Sequence, residues 1–191
     1  ALVINLAAAL PRPGLHSGDE AFFIETALRM GSGVLEPFSL SHGTGLSVIL
    51  LGEFGVWYLI QRFLGYMAAP VDVAWAYVRD PSPFILMGRL TAVVAGLGII
   101  LLTERIGRRL IAPLPGLVAA AVVGLSLLPL TMAANFKEEL PATAILLVAC
   151  WLAVKLSGLT GPARRPMRLA LLSGLALGAA SAIKYTAVLG V

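Results

Sequence analysis

Four segments of the chain are long and apolar enough to cross a membrane as helices. A crossing takes roughly 20 consecutive apolar residues, and the four segments are Phe84–Thr103, Leu110–Asn135, Leu140–Leu156 and Leu169–Val191. The composition agrees, because 59% of the 191 residues are hydrophobic and only 13% are charged, about half the charge of an average soluble domain. So little charge cannot cover a water-facing surface. We therefore expect an all-α, polytopic transmembrane helical bundle.

The second of these segments contains Pro113, Pro115 and Pro129. Proline lacks the backbone N–H that a helix needs and clashes with the carbonyl four residues earlier, so it breaks or bends a helix. We therefore expect this segment to form a bent or broken crossing.

Both ends of the chain fall inside apolar runs. The run from Ala1 to Leu10 is only about half as long as a crossing, and the last run stops at Val191. We interpret the first run as the exit half of a helix. Residues 1–191 are then expected to be the N-terminal part of a single transmembrane domain that is truncated at both ends.

Two connections between the predicted crossings are basic, residues 104–109 and 155–168. Because two predicted helices separate them, they lie on the same side of the membrane. Cytoplasmic loops collect Lys and Arg, so both connections are predicted to be cytoplasmic. Residues 11–82 then form a long extracytoplasmic loop with juxtamembrane helices.

Two helices are predicted within this loop. The first begins near Ser17 or Asp19, either of which can cap it, and ends at Gly31. The second covers Thr44–Tyr66 and is predicted to lie along the outer membrane face, because its aromatic residues suit a headgroup belt. Its acid, Glu53, does not forbid a crossing, so a spanning helix stays an alternative. The aromatic residues are Trp57, Tyr58 and Tyr66.

Common catalytic motifs are missing from the sequence, which has no Gly-rich phosphate loop, HExxH, CxxC or nucleophile elbow. Charged residues instead recur near one predicted depth, the outer membrane boundary. Each has an ordinary alternative role, as a helix cap, a solvated turn or a side chain that reaches lipid headgroups. Ionisable groups at membrane segments are nevertheless functional candidates by default, and here acids and bases share one level. The candidates are Asp19, Glu20, Arg89, Lys137, Glu138, Glu139 and Lys184, with Tyr185 beside the last.

Acids beside cations at a bilayer boundary suit group transfer from a lipid-phosphate carrier. A Lys or Arg side chain would stabilise the departing phosphate, and a carboxylate would take the proton of an incoming hydroxyl. An ordinary Asp, with a pKa of about 3.9, is ionised at neutral pH and is available as that base.

The order of several short motifs resembles a known family. It is similar to the N-terminal half of polytopic glycosyltransferases of the GT-C class, which use polyprenyl-phosphate sugars and include the protein O-mannosyltransferases and the aminoarabinose transferase of lipid A. The resemblance covers nearly the whole chain. The matching stretches are Leu15–Glu20, Leu35–Phe38, Asp80–Phe84, Gly88–Leu90, Gly107–Leu110, Asn135–Pro141 and Gly174–Thr186.

The resemblance implies a role for each candidate residue. Asp19 matches the catalytic base, Glu20 its companion at the acceptor, and Glu139 a second acidic position. Lys184, followed by Tyr185, matches a lysine that meets the lipid phosphate.

One position departs from the family, because some members carry Arg three residues after the base, where this chain has Phe22. Lys137 and Arg89 are the candidates to meet the phosphate instead. The resemblance implies an inverting transfer, and some members bind a divalent metal at the acids, which here would be Asp19 and Glu139.

The leading hypothesis is thus a membrane glycosyltransferase in the inner membrane of a bacterium, with its active site on the extracytoplasmic face. Its partners would be a polyprenyl-phosphate-linked sugar, a lipid, glycan or protein acceptor, and membrane lipids, with no nucleic acid. No cofactor is required by the sequence, apart from the open question of a metal. The alternatives are a transporter or flippase with charged residues along its substrate path, and a scaffold without catalytic activity.

Overall fold

The structure, a computed structural model, describes residues 18–34, 43–157 and 164–185. Within these residues the chain forms eight helices and no strand, which confirms the predicted all-α bundle. In chain order the helices are α1 (Gly18–Gly31), α2 (Gly45–Phe63), α3 (Val71–Arg79), α4 (Ser82–Leu110), α5 (Pro113–Leu125), α6 (Leu127–Ala134), α7 (Glu139–Ser157) and α8 (Arg164–Ile183).

Four of these helices, α2, α4, α7 and α8, are long and apolar enough to cross a membrane, and α5 with α6 makes a fifth candidate that is bent by 47°. The protein is therefore an integral membrane protein. Helices α4, α7 and α8 correspond to three of the predicted crossings, and the α5–α6 pair corresponds to the one in which prolines predicted a bend.

The bend lies at Ser126, which is extended between α5 and α6. Pro129 explains its position, because the missing N–H and the ring of a proline exclude a helical hydrogen bond to the carbonyl four residues earlier, here Leu125. Pro129 itself lies in the first turn of α6, where an N–H has no helical acceptor. Pro113 is likewise placed at the start of α5. The predicted break is confirmed.

The candidate crossings α4, α5–α6, α7 and α8 alternate in direction along the chain. Helices α4 and α7 run parallel, since Gly98 of the first lies against Ala144 of the second and the ends of the two helices also meet. Helix α8 runs antiparallel to α7, because the Ser173 hydroxyl donates to the Ala149 carbonyl (3.0 Å) and Lys184 lies beside Glu139. We call the end where α4 and α7 begin the site end, and the opposite end the basic end.

Helices α4 and α5 approach most closely at the basic end, through two glycines. A Cβ atom on Gly107 would lie 2.8 Å from the Gly116 Cα, and one on Gly116 would lie 2.6 Å from the Arg108 amide nitrogen. Only glycine fits at both positions, and this close contact aligns the antiparallel pair.

The two basic connections meet at the basic end. Arg105, Arg108 and Arg109 of α4 line one cleft together with Trp151 and Lys155 of α7. The prediction that both connections share one side of the bundle is therefore confirmed.

Helices α1, α2 and α3 pack together on the site end. Their buried side chains form one core with the start of α4 and the turn before α7, and its largest members are Phe23, Phe54, Phe84 and Phe136. The predicted helix after Ser17 is α1, which ends at Gly31 as expected, and Gly33 takes a positive φ of 89° just beyond it. Ser17 itself lies outside the described residues. The short helix α3 was not individually predicted.

The contacts of α2 with the bundle lie toward the site end. Glycines before and in its first turn, Gly43 and Gly45, abut Ile183 at the end of α8. Further along, the rings of Phe54 and Trp57 pack edge-on against Phe84 in the first turn of α4, with centroids 5.0 and 5.1 Å apart. Further into α4, the Thr91 hydroxyl donates to the Glu53 carboxylate of α2, and length and hydropathy qualify α2 as a crossing. The predicted interfacial position stays a prediction.

Single cysteines at the two ends of α2 separate these interpretations. In a Cys150→Ser background, which removes the chain's one cysteine, Thr44→Cys and Phe63→Cys are placed in sealed membrane vesicles of known orientation. If α2 lies along one face, a membrane-impermeant maleimide applied to that face should label both positions. Labelling of the two cysteines from opposite sides would show instead that α2 crosses the membrane.

Candidate functional site

Two ion pairs come together at the site end. Lys137, in the turn between α6 and α7, donates from its Nζ to the Asp19 Oδ2 in the first turn of α1. Lys184, directly after α8, donates to the Glu139 Oε1 at the start of α7, and its Nζ lies 3.6 Å from the Glu138 Oε1. Residues from three distant parts of the sequence therefore meet.

Both ion pairs line one cavity of about 250 Å³. The cavity contains three carboxylates and two ammonium groups, and it is closed on one side by the buried ring of Phe23. Its lining residues are Asp19, Phe23, Lys137, Glu138, Glu139, Lys184 and Tyr185. The structure thus brings together six of the eight candidate residues predicted from the sequence. The other two, Glu20 and Arg89, lie elsewhere.

Glu20 and Arg89 form a buried pair beside the cavity. The Arg89 Nε donates to the Glu20 Oε1 (3.0 Å) and a terminal nitrogen of Arg89 donates to the Glu20 Oε2 (3.3 Å), which is a bidentate arrangement. Their side chains are only 0% and 4% exposed, and neither residue lines the cavity. The pair joins α1 to α4 one residue after Asp19. This geometry favours a positioning role over the predicted contacts with acceptor and phosphate.

The sequence did contain a signal for the burial of Glu20. The residues Glu20, Phe23, Ile24 and Ala27 have the spacing of one face of a helix, and all four are at most 1% exposed. Asp19 precedes this stripe by one position, about 100° around the helix, and therefore points to the cavity instead.

The turn that carries Lys137 is fixed by Phe136. This residue has an unusual positive φ of 28° and is 1% exposed, and its ring lies so close to Gly88 of α4 that a Cβ there would be 2.8 Å away. A non-glycine residue adopts this conformation only when its surroundings hold it. The glycine of the Gly88–Leu90 motif therefore has a role in seating the ring, which sequence reasoning did not identify.

Lys184 remains charged in this arrangement. Burial lowers its pKa, but the hydrogen bond and charge of Glu139, together with Glu138, offset this effect, and the net pKa lies above the ordinary value. The ammonium group is therefore fully protonated at neutral pH. An anion that reaches the cavity meets a permanent positive charge.

Glu139 has one oxygen with capacity to accept a further hydrogen bond. Its Oε1 binds Lys184, whereas its Oε2 is buried and has no hydrogen-bond partner among the described residues. A buried acceptor without a partner costs about 1–3 kcal/mol. This atom is therefore a candidate to receive a hydroxyl group of a bound molecule.

The carboxylates of the cavity do not fit a divalent metal as they are arranged. Asp19 and Glu139 each bind an ammonium group. This group occupies a carboxylate oxygen that a metal would need, and its positive charge would repel the metal. Among residues 18–34, 43–157 and 164–185, no group of three His, Cys, Asp or Glu side chains could hold a metal ion.

Comparisons of this chain with protein-family models, with curated proteins and with solved structures found no match. The resemblance to the GT-C transferases therefore rests on the motifs and on their placement. Of these, Leu35–Phe38, the first residues of Leu15–Glu20 and the last residue of Gly174–Thr186 lie outside the described part of the chain.

Replacing one partner should lower the free energy of unfolding more for the buried ion pair than for the partly exposed one. Replacing one partner of a buried pair leaves an uncompensated charge and costs about 3–5 kcal/mol, whereas an ion pair open to solvent contributes about 0–1 kcal/mol. We therefore expect Arg89→Gln to lower the free energy of unfolding by several kcal/mol and the matched variant Lys137→Gln to lower it by less than about 1 kcal/mol. Chemical denaturation in detergent micelles measures both.

A second substitution checks the cause of the loss. Adding Glu20→Gln to Arg89→Gln removes the stranded charge and should restore part of the stability. Equal losses for Arg89→Gln and Lys137→Gln would contradict a structural role of the buried pair.

Proposed function

We propose that the cavity at the site end transfers a sugar from a polyprenyl phosphate to a hydroxyl acceptor. The observation that carries the proposal is the meeting of the Asp19–Lys137 and Glu139–Lys184 pairs in one cavity at an end of the membrane bundle. A lipid-linked donor has its phosphate at that depth by virtue of its membrane anchor. The cavity therefore offers both a base and cations at the level where such a phosphate lies.

In this mechanism the phosphate is held by lysine. Lys184 and Lys137 each weaken the hydrogen bond to their carboxylate and donate to the phosphate oxygens. Charge-assisted hydrogen bonds to phosphate are stronger than neutral ones. The bond between the sugar C1 and the phosphate oxygen breaks, and its electron pair stays with the lipid phosphate. The ammonium groups stabilise the charge that develops there.

The acceptor is activated on the opposite side of the sugar. Asp19 takes the proton of the acceptor hydroxyl while its oxygen forms the new bond to C1, so the configuration at C1 inverts in a single displacement. The second acid, Glu139, accepts a hydrogen bond from a sugar or acceptor hydroxyl at its Oε2. Glu20 and Arg89 hold the first turn of α1, and with it Asp19, in place.

The charge distribution supports an extracytoplasmic position of the site. Cytoplasmic ends of membrane helices collect Lys and Arg, and the basic end carries Arg105, Arg108, Arg109 and Lys155. We infer that the site end is extracytoplasmic, in the inner membrane of a bacterium. Polypeptide, lipid and glycan acceptors are all compatible with this position.

The transporter alternative has less support. Transporters bind their substrates near the bilayer midplane at broken helices, and the broken pair α5–α6 is the natural candidate. The cavity at that break is lined by apolar residues and glycines of α4, α5 and α6. It offers no charged or polar side chain to a substrate.

Asp19→Asn in the full-length protein tests the base. The change preserves the shape of the side chain but removes its proton acceptor, so we expect turnover to fall by about 10²- to 10⁴-fold. Transfer of labelled sugar from a polyprenyl-phosphate donor to membrane acceptors is the measurement. Asp80→Asn is the matched control, since Asp80 lies at the same end, outside the cavity, and accepts hydrogen bonds from the backbone N–H and the side chain of Ser82. Normal turnover in Asp19→Asn would exclude Asp19 as the base.

Lys184→Gln tests the contact with phosphate. It removes the permanent charge and should lower turnover by about 10²–10³-fold, as the loss of one group that stabilises a departing anion does. A donor whose leaving group already ionises readily should be less affected than the natural donor. An unchanged ratio between the two donors would show that Lys184 acts on something other than the phosphate.

A further inference from the structure

A cleft of about 460 Å³ opens at the basic end, far from the candidate site. It is lined by three arginines from the last two turns of α4, by one lysine from the last turn of α7 and by an indole ring. The lining residues are Arg105, Arg108, Arg109, Trp151 and Lys155. Its volume is within the range of about 300–1,000 Å³ that is usual for ligand sites.

The charges of this cleft are only partly neutralised. Glu104 lies 3.4 Å from Arg108 in an ion pair along α4. No carboxylate in the described part of the chain lies within ion-pair distance of Arg105, Arg109 or Lys155. A surplus of cations is thus gathered in one concave place between two helices, which attracts an anion.

The depth of the cleft identifies the kind of anion. Helices α4 and α7 both qualify as membrane crossings, and the cleft lies where both end. That position is the headgroup level of the bilayer, whichever face it is. Trp151 agrees, because indole rings concentrate at this level, and the Lys155 Nζ lies 5.0 Å from the centre of its ring in a cation–π contact.

We propose that this cleft binds the phosphate of an anionic phospholipid headgroup. Arginine forks bind phosphate oxygens in a bidentate manner, and basic pockets between membrane helices are a known setting for such lipids. The acyl chains of the lipid would lie along the exposed apolar faces of α4 and α7. This inference does not depend on the proposed sugar transfer.

Trp151 provides a direct readout of the lipid in the cleft. The full chain carrying Trp57→Phe and Trp75→Phe, which leaves Trp151 as the remaining tryptophan, is placed in phosphatidylcholine nanodiscs. A minor fraction of bromine-labelled lipid is added, either phosphatidylglycerol or phosphatidylcholine, and quenching of Trp151 fluorescence reports its binding. We expect the anionic lipid to quench at much lower mole fraction than the zwitterionic one. Equal quenching by the two lipids would overturn the proposal.

Substitutions then separate a site from general surface charge. The pair Arg105→Gln and Arg109→Gln should weaken binding of the anionic lipid by roughly tenfold or more, since each basic group near an anionic surface contributes about fivefold. Arg168→Gln is the matched control, because Arg168 lies in the first turns of α8 at the same end of the bundle, is exposed, and does not line the cleft. Equal loss in the control would show that only the overall charge of this face matters.

Two further measurements complete the test. Lys155→Gln changes one charge from the other helix and should weaken binding by about fivefold, so the proposal stays testable if the double variant does not fold. Inorganic phosphate at millimolar concentration should leave the quenching unchanged. Displacement of the labelled lipid by free phosphate would show that the cleft serves a soluble anion instead.

Discussion

The buried ion pair between Glu20 and Arg89 determines the position of Asp19, the candidate base. The first turn of helix α1 is fixed to α4 by two hydrogen bonds from one guanidinium group. A buried pair contributes little net stability, because dehydrating two charges is costly. It does exclude alternative positions of α1, since any shift that separates the pair leaves two charges without compensation. The same restriction fixes the position of Asp19, which is the residue before Glu20.

In the cavity next to this pair, both ammonium groups are engaged by carboxylates, and there is one more carboxylate than ammonium group. Each lysine is held by a carboxylate, so the positive charges that would bind a phosphate in the proposed transfer are present but engaged. Binding of an anion would exchange one partner for another, and no ammonium group would have to be carried into a dry site alone. In the proposed transfer, this exchange would also tie the availability of the base to the arrival of the donor, because Lys137 is bound to Asp19 before the phosphate is present.

The meeting of the charged residues at one end of the helix bundle could be predicted from the sequence, but the direction in which each side chain points around its helix could not. Hydropathy gives the distance of each residue from a helix end, and this was sufficient to place Asp19, Lys137, Glu139, Lys184 and Tyr185 at one level. Which way a side chain points around its helix depends on the neighbours against which the helix packs. Arg89 illustrates the limit, because it faces α1 and not the cavity.

The local geometry of the turn before α7 could not be predicted from the sequence either. The strained backbone of Phe136 and its contact with Gly88 arise from the fit of two elements that are distant in the chain. Pro129 is the opposite case. Its effect on the backbone is covalent and local, and the bend it causes could be predicted from the residue alone.

The attachments of Phe136 and Glu20 have a joint consequence for how the cavity can change its width. Both the turn with Lys137 and the helix with Asp19 rest on α4, so these two groups move as one unit with that helix. Lys184 follows α8, which packs against α7. In the proposed transfer, room for a bulky donor would therefore come from a small movement of the end of α8, while the alignment of Asp19 with Lys137 is preserved.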